Sequence, residues 1–185
     1  MTLDALNAMD GGAAGRELLR CCGSTRWAEQ MAAARPFPTF DAAVETADRI
    51  WWALDEADWR EAFAAHPRIG ARGAGGAGGA RPAGTGEWSA QEQSRVADAR
   101  VEVVDRLAAA NRDYEARFGY IFIICATGKS AADMLEALER RLGNAPDREL
   151  RIAAGEQGNI TRLRLAKLVE AAGATAALDG RMDRP

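Results

Sequence analysis

The chain has 185 residues, of which 48% are hydrophobic and 28% charged, and it carries a net charge of −3. That composition excludes a disordered chain and is enough to bury a sizeable core, so a single domain over residues 1–185 is expected. The acidic balance counts against a nucleic-acid partner, whose phosphates call for a basic surface.

In chain order, residues 2–10 and 14–22 read as short helices, with Thr2 an N-cap for the first. Pro36 and Pro38 mark a connection. Phe40, Val44, Ala47, Trp51 and Leu54 recur at steps of three and four, which predicts an amphipathic helix. A helix over about 57–65 carries Trp59 and Phe63 and stops near His66, because Pro67 pushes the residue before it out of the α region. Residues 70–87, GARGAGGAGGARPAGTGE, form a Gly-rich loop longer than ordinary connections, with no large apolar residue to pin it, and are expected to be flexible. Helix resumes at Ser89 and runs to about Arg117, with Val96, Val103, Leu107, Tyr114 and Phe118 at whole multiples of helical turns.

The run Gly119-Tyr-Ile-Phe-Ile-Ile-Cys-Ala126 is short, apolar and rich in isoleucine, and reads as a strand or an extended buried segment. Ser130–Leu142 is predicted helical, with Met134, Leu135, Leu138 and Leu142 on one face and Gly143-Asn144 as the stop. A last helix is expected from Asp147 to Ala172. With one strand-like run at most, the fold class is all-α: a single-domain bundle of about seven to nine helices with a short non-helical apolar segment near 119–126.

No apolar run approaches the roughly 20 residues needed to span a bilayer. The start, MTLDALNAMDGG, carries acids where a signal peptide needs a basic region, and RMDRP is neither a peroxisomal address nor a prenylation site. A cytoplasmic protein without a membrane partner is the expectation. Cys21, Cys22 and Cys125 form no C-x-x-C pair and suit a reducing compartment. His66 is the sole histidine, so a two-histidine metal site is excluded, and neither metal nor organic cofactor is expected.

Three features carry candidate chemistry. Thr127-Gly128-Lys129-Ser130 sits between an apolar run and a helix, as in a phosphate loop, but Ile123 stands where that motif needs a glycine. The bland alternative is a solvated Lys129 before a helix capped by Ser130. His66 ends a helix, where the dipole favours a protonated ring, and it abuts the glycine loop. Taken alone, a single histidine is more often a surface or satisfied core residue. Ser89-Ala90-Gln91-Glu92-Gln93 has the spacing of a capping box, with Ser89 capping and Glu92 reaching back. The same spacing places a carboxylate and an amide on the first turn of a helix, across the loop from His66.

Taken together, His66-Pro67-Arg-Ile69-Gly70, Ser89-x-x-Glu92-Gln93, Asn111-x-x-Tyr114-x-x-x-Phe118-Gly119-x-x-Phe122 and Leu163-Arg164-Leu165 occur in an order and spacing that resemble the 2-oxo-4-hydroxy-4-carboxy-5-ureidoimidazoline (OHCU) decarboxylases of uric-acid degradation. The resemblance covers about residues 15–172. It implies an all-helical, cofactor-free homodimer acting on a small molecule, converting OHCU to (S)-allantoin and carbon dioxide. It implies that His66 and Glu92 are catalytic, that Arg164 binds substrate, and that Pro67, Ser89, Ala90, Gln91, Glu92, Gln93, Phe122, Ile123, Ile124, Cys125 and Ala126 line the site. The stretch between Gly70 and Ser89 is longer and richer in glycine than is usual in that family. A non-catalytic helical ligand-binding or scaffold domain is the alternative, although such a domain has no need of both His66 and Glu92.

These residue types suit the chemistry. Loss of carbon dioxide leaves a carbanion-like centre that must be delocalised and then protonated on one face, which a histidine can do near neutral pH. Backbone N–H groups of a non-helical segment can stabilise the developing charge, and a guanidinium can grip a carboxylate through a forked bond. Arg164 lies between Ile160 and Leu168 in an apolar stripe, whereas Arg162, after Gly158 and Asn159, reads as exposed.

Overall fold

A computed structural model describes the backbone of residues 1–67 and 90–169, and side chains for 1–67 and 102–169. The Gly-rich stretch 70–87, Ser89 and the last turn expected for the final helix lie outside the described residues. Eight helices are described: α1 (Leu3–Ala8), α2 (Gly11–Cys22), α3 (Thr25–Ala33), α4 (Phe40–Ala53), α5 (Glu56–Ala64), α6 (Ala90–Phe118), α7 (Ala131–Leu142) and α8 (Pro146–Val169). No strand occurs among the described residues, so the class is all-α. None of these helices is long and apolar enough to cross a membrane. The chain divides into two compact units, Met1–Ala65 with Arg151–Pro185, and His66–Leu150.

In the first unit the helices begin where side-chain oxygens can take up orphan amides. Thr2, Asp10, Ser24, Thr39 and Asp55 each accept a backbone N–H at the start of α1 to α5 in turn. Ser24 opens α3, a helix that the sequence reading passes over. Its nine residues carry three buried side chains, Trp27, Ala28 and Met31, on one face. So short an element shows little more than one apolar period, and Ala28 is a weak mark of it.

The core of this unit is built by indoles that also bond. Trp27 Nε1 donates to the Ala47 carbonyl at 3.1 Å, Trp59 Nε1 to Trp51 at 3.0 Å, and Trp51 Nε1 to Ala154 in α8 at 2.9 Å. Each ring therefore buries its apolar body and satisfies its one donor on a helix carbonyl. Gly158 lies against Trp51, 3.7 Å from the position a Cβ would take to the ring, and lets α8 pack there. Gly23 ends α2 in the left-handed region at φ 86°, and a Cβ there would lie 2.7 Å from that of Ala65. Arg35 ties the ends of two helices together, donating to Ala32 of α3 and to Leu6 and Met9 around the end of α1.

The second unit holds α6, α7 and the first turn of α8. Among the described side chains of α6 the buried positions are Leu107, Asn111, Tyr114 and Phe118, three of the expected stripe with an asparagine set among them; Val103 is half-buried, and the side chain of Val96 lies outside the described residues. Tyr114, Phe118, Tyr120 and Phe122 form an aromatic cluster with ring centroids 4.7–6.2 Å apart. Residues 121–126 are neither helix nor strand, which bears out a short non-helical segment, and Phe122 to Cys125 are buried.

Candidate active site

His66 follows Ala65, whose N–H bonds back to Ala62 and Phe63 as the C-cap of α5. The imidazole is half-buried and Pro67 is exposed. The helix stops where the proline requires. Ala90, Gln91, Glu92 and Gln93 form the first turn of α6, so Glu92 is its third residue. Their side chains, like Ser89, lie outside the described residues.

The segment Phe122–Ala126 is held by side chains from three directions. Asn111 Oδ1 accepts the Phe122 N–H at 3.2 Å. Arg141 Nη1 donates to the Ile123 carbonyl at 2.9 Å, and Lys129 Nζ to the Cys125 carbonyl at 2.8 Å. Phe122, Ile123, Ile124 and Cys125 are buried and Ala126 is exposed.

The phosphate-loop alternative does not survive at this place. Gly128 turns the chain at φ 75°, Ser130 caps α7, and the Asp133 carboxylate takes both the Ser130 amide at 2.8 Å and its hydroxyl at 2.7 Å. Those bonds hold the Asp133 carboxyl below its usual range. An anion of the chain's own already occupies the start of α7, and no parallel sheet stands behind it among the described residues.

Behind the segment lies a buried ionic cluster that the sequence reading did not identify. Glu149, at 0% exposure, accepts from Arg141 Nε at 2.7 Å, from the Tyr114 hydroxyl at 2.5 Å and from Asn144 Nδ2 at 2.7 Å. Burial, with Glu149 beside it, pushes the Tyr114 hydroxyl far above its ordinary range, so it remains a donor at any physiological pH. The Arg141 guanidinium also stacks 4.6 Å from the centroid of Phe122. One signal was available: Arg141 falls three residues after Leu138 and six after Leu135, on the apolar face of α7.

In the first unit, Arg164 is half-buried and Nη1 lies 3.4 Å from the Cys21 carbonyl. The deep face of α8 runs through Ala153, Ala154, Gln157, Thr161, Leu165 and Val169, so Arg164 flanks that face rather than lying on it. Arg162 is a correction. It is not exposed: it is half-buried and grips Asp48 through Nε at 3.0 Å and Nη2 at 2.7 Å, with Nη1 on Asn159. The glycine and asparagine before it suggest solvent, but Asp48 on α4 supplies a partner that no local pattern shows. Arg162 thus stands in a structural ion pair with Asp48.

Burial raises the thiols of Cys21 to about 12 and Cys22 to about 11, so neither forms a thiolate nucleophile at neutral pH. His66 and the Phe122–Ala126 segment fall in one compact unit and Arg164 in the other.

Comparisons with known proteins converge. A family model described as OHCU decarboxylase matches residues 7–166. The chain is 43% identical over 153 residues to the uric acid degradation bifunctional protein TTL of Arabidopsis thaliana, covering 80% of this chain and 45% of that protein. It is 29% identical over 177 residues to the uric acid degradation bifunctional protein PucL of Bacillus subtilis, covering 94% of this chain and 34% of that one. The chain thus spans less than half the length of these two relatives. Among solved structures, an OHCU decarboxylase crystallised in the presence of (S)-allantoin matches with a TM-score of 0.66 at 39% identity, covering 83% of this chain and 97% of the other.

Proposed function

We propose, for a chain that belongs to the OHCU decarboxylase family, that it converts OHCU to (S)-allantoin and carbon dioxide without a metal or organic cofactor. The observation that carries the reading is the match to the solved OHCU decarboxylase, nearly all of which is covered at 39% identity. In this reading residues 1–185 form a single domain, and the protein is a cytoplasmic homodimer.

The reaction breaks the bond to the carboxylate carbon, and the electron pair passes into the ring. His66 delivers a proton to the resulting carbon on one face, which fixes the S configuration. Its position after the last turn of α5 supports that role, since the helix end favours the charged donor. Glu92 orients the substrate hydroxyl or holds the imidazole charged. Pro67 and residues Ser89 to Gln93 line the site. Backbone N–H groups of Phe122 to Ala126 receive ring oxygens as charge develops. Arg164 grips the substrate through its fork.

The experiment that tests the reading is to generate OHCU freshly from urate, add the protein and follow optical rotation. Accelerated formation of optically active allantoin is expected. A product that stays racemic, forming at the rate seen without protein, is incompatible with the activity.

The two arginines of α8 should separate. Arg164→Lys is expected to weaken substrate handling at least about tenfold, because lysine loses the planar fork. Arg162→Lys should leave the kinetics near wild type and lower stability by about 1 kcal/mol, since it loosens a half-buried forked pair with Asp48. Steady-state kinetics with thermal melts decide it. A kinetic loss confined to Arg162→Lys would assign the roles the other way round.

A further inference from the structure

We propose that Arg141 is a positioning residue for the decarboxylation: it sets the peptide plane between Ile123 and Ile124, and with it the direction of the Ile124 N–H toward substrate. The inference rests on the reading above, in which Phe122–Ala126 lines the site.

The starting point is how the guanidinium is used. Two of its nitrogens, Nε and Nη2, lie 2.7 and 2.6 Å from Glu149 Oε1, while Nη1 reaches the Ile123 carbonyl at 2.9 Å. The fork is planar and rigid, so gripping Glu149 on one edge aims Nη1 on the other. Glu149 is itself fixed by Tyr114 and Asn144. As a source of stability such a buried pair is poorly suited, since well-packed apolar residues often serve as well or better. What an apolar pair cannot do is hold a backbone carbonyl in one direction.

That direction has a consequence on the far side of the amide. The cis bond of the described backbone is Arg35–Pro36, so the Ile123–Ile124 peptide is trans. In a trans peptide the C=O and N–H point opposite ways across one plane. With its carbonyl on Arg141, the plane must send the Ile124 N–H away from that cation. Lys129 does the same two planes further on, holding the Cys125 carbonyl and turning the Ala126 N–H away from itself. Two donors, two residues apart, are thus aimed before substrate arrives. Such preset donors stabilise charge because they need no reorganisation as it develops.

The test uses the full chain and two readouts. Ile123–Ile124 is the sole Ile–Ile dipeptide in the sequence, so labelling isoleucine with 13C at the carbonyl and with 15N gives one coupled cross-peak, that of this plane. Arg141→Lys keeps a cation for Glu149 but loses the fork. It is expected to lower kcat at least about tenfold with KM changed less than about threefold, to shift the cross-peak, and to speed exchange of the Ile124 amide. If Arg141→Lys does not fold, Arg141→Met combined with Glu149→Gln removes both charges together, and the same loss of kcat is expected. A folded variant with wild-type kcat overturns the inference, whether or not the cross-peak moves. An inert wild type would sink the proposed activity and the inference with it. An active wild type with unaltered variants would sink the inference alone.

Discussion

His66→Asn is expected to lower enzymatic turnover of OHCU by about 10²–10⁴-fold, the usual contribution of a positioned acid or base, and to leave the remaining product racemic. Asparagine keeps a polar group of similar reach after the last turn of α5 but has no proton to give near neutral pH. In water a proton can arrive on either face of the ring, so both configurations form. The fold should survive, because His66 is half-buried and lies beyond the last turn of α5, whose cap is made by the Ala65 backbone. Helical circular dichroism and the melting temperature check the fold, and polarimetry on fresh substrate checks the chemistry. Wild-type rotation and rate in His66→Asn would remove His66 as the proton donor.

Glu92→Gln should reduce turnover by about 10²-fold or more at nearly unchanged stability. Glu92 is the third residue of α6, and glutamine at that position can still bond back in a capping box. The substitution therefore deletes the charge and keeps the cap. Glu92→Ala is the companion, expected to lose both activity and about 0.5–1 kcal/mol of helix stability. Activity that persists in Glu92→Gln and falls in Glu92→Ala only in step with melting would make the glutamate a cap and nothing more.

Where the sequence was legible, the reason is periodicity. The stripe of α4 and the face of α7 each repeat through three turns or more, and their caps, Thr39 and Ser130, fall where the helices begin. The non-helical run at 121–126 was legible because isoleucine and aromatic residues crowd there after a glycine.

The third helix-forming stretch of the N-terminal region, α3, was too short to show its period. The misreading of Arg162 has another cause. Its partner, Asp48, is 114 residues away in sequence, and the spacing of apolar residues carries no information about which acid an arginine will meet. Glu149 is the same case: in the first turn of a helix a glutamate ordinarily faces water and the dipole, yet here it is fully buried because Arg141, Tyr114 and Asn144 converge on it. Arg164 is singled out in the sequence by its neighbours Ile160 and Leu168 and by the family resemblance, yet it stands beside the deep face of α8 rather than on it.

The indole bonds of the first unit give the protein a built-in spectroscopic division. Trp27, Trp51, Trp52 and Trp59 all belong to that unit, while both tyrosines, Tyr114 and Tyr120, belong to the other. The fifth tryptophan, Trp88, lies outside the described residues. In a Trp88→Phe background, fluorescence excited near the red edge would come from the first unit alone, and the near-ultraviolet dichroism of tyrosine from the second. Followed through a denaturant titration, coincident midpoints from the two signals would mean that the units unfold as one cooperative block, and separated midpoints that each has a stability of its own.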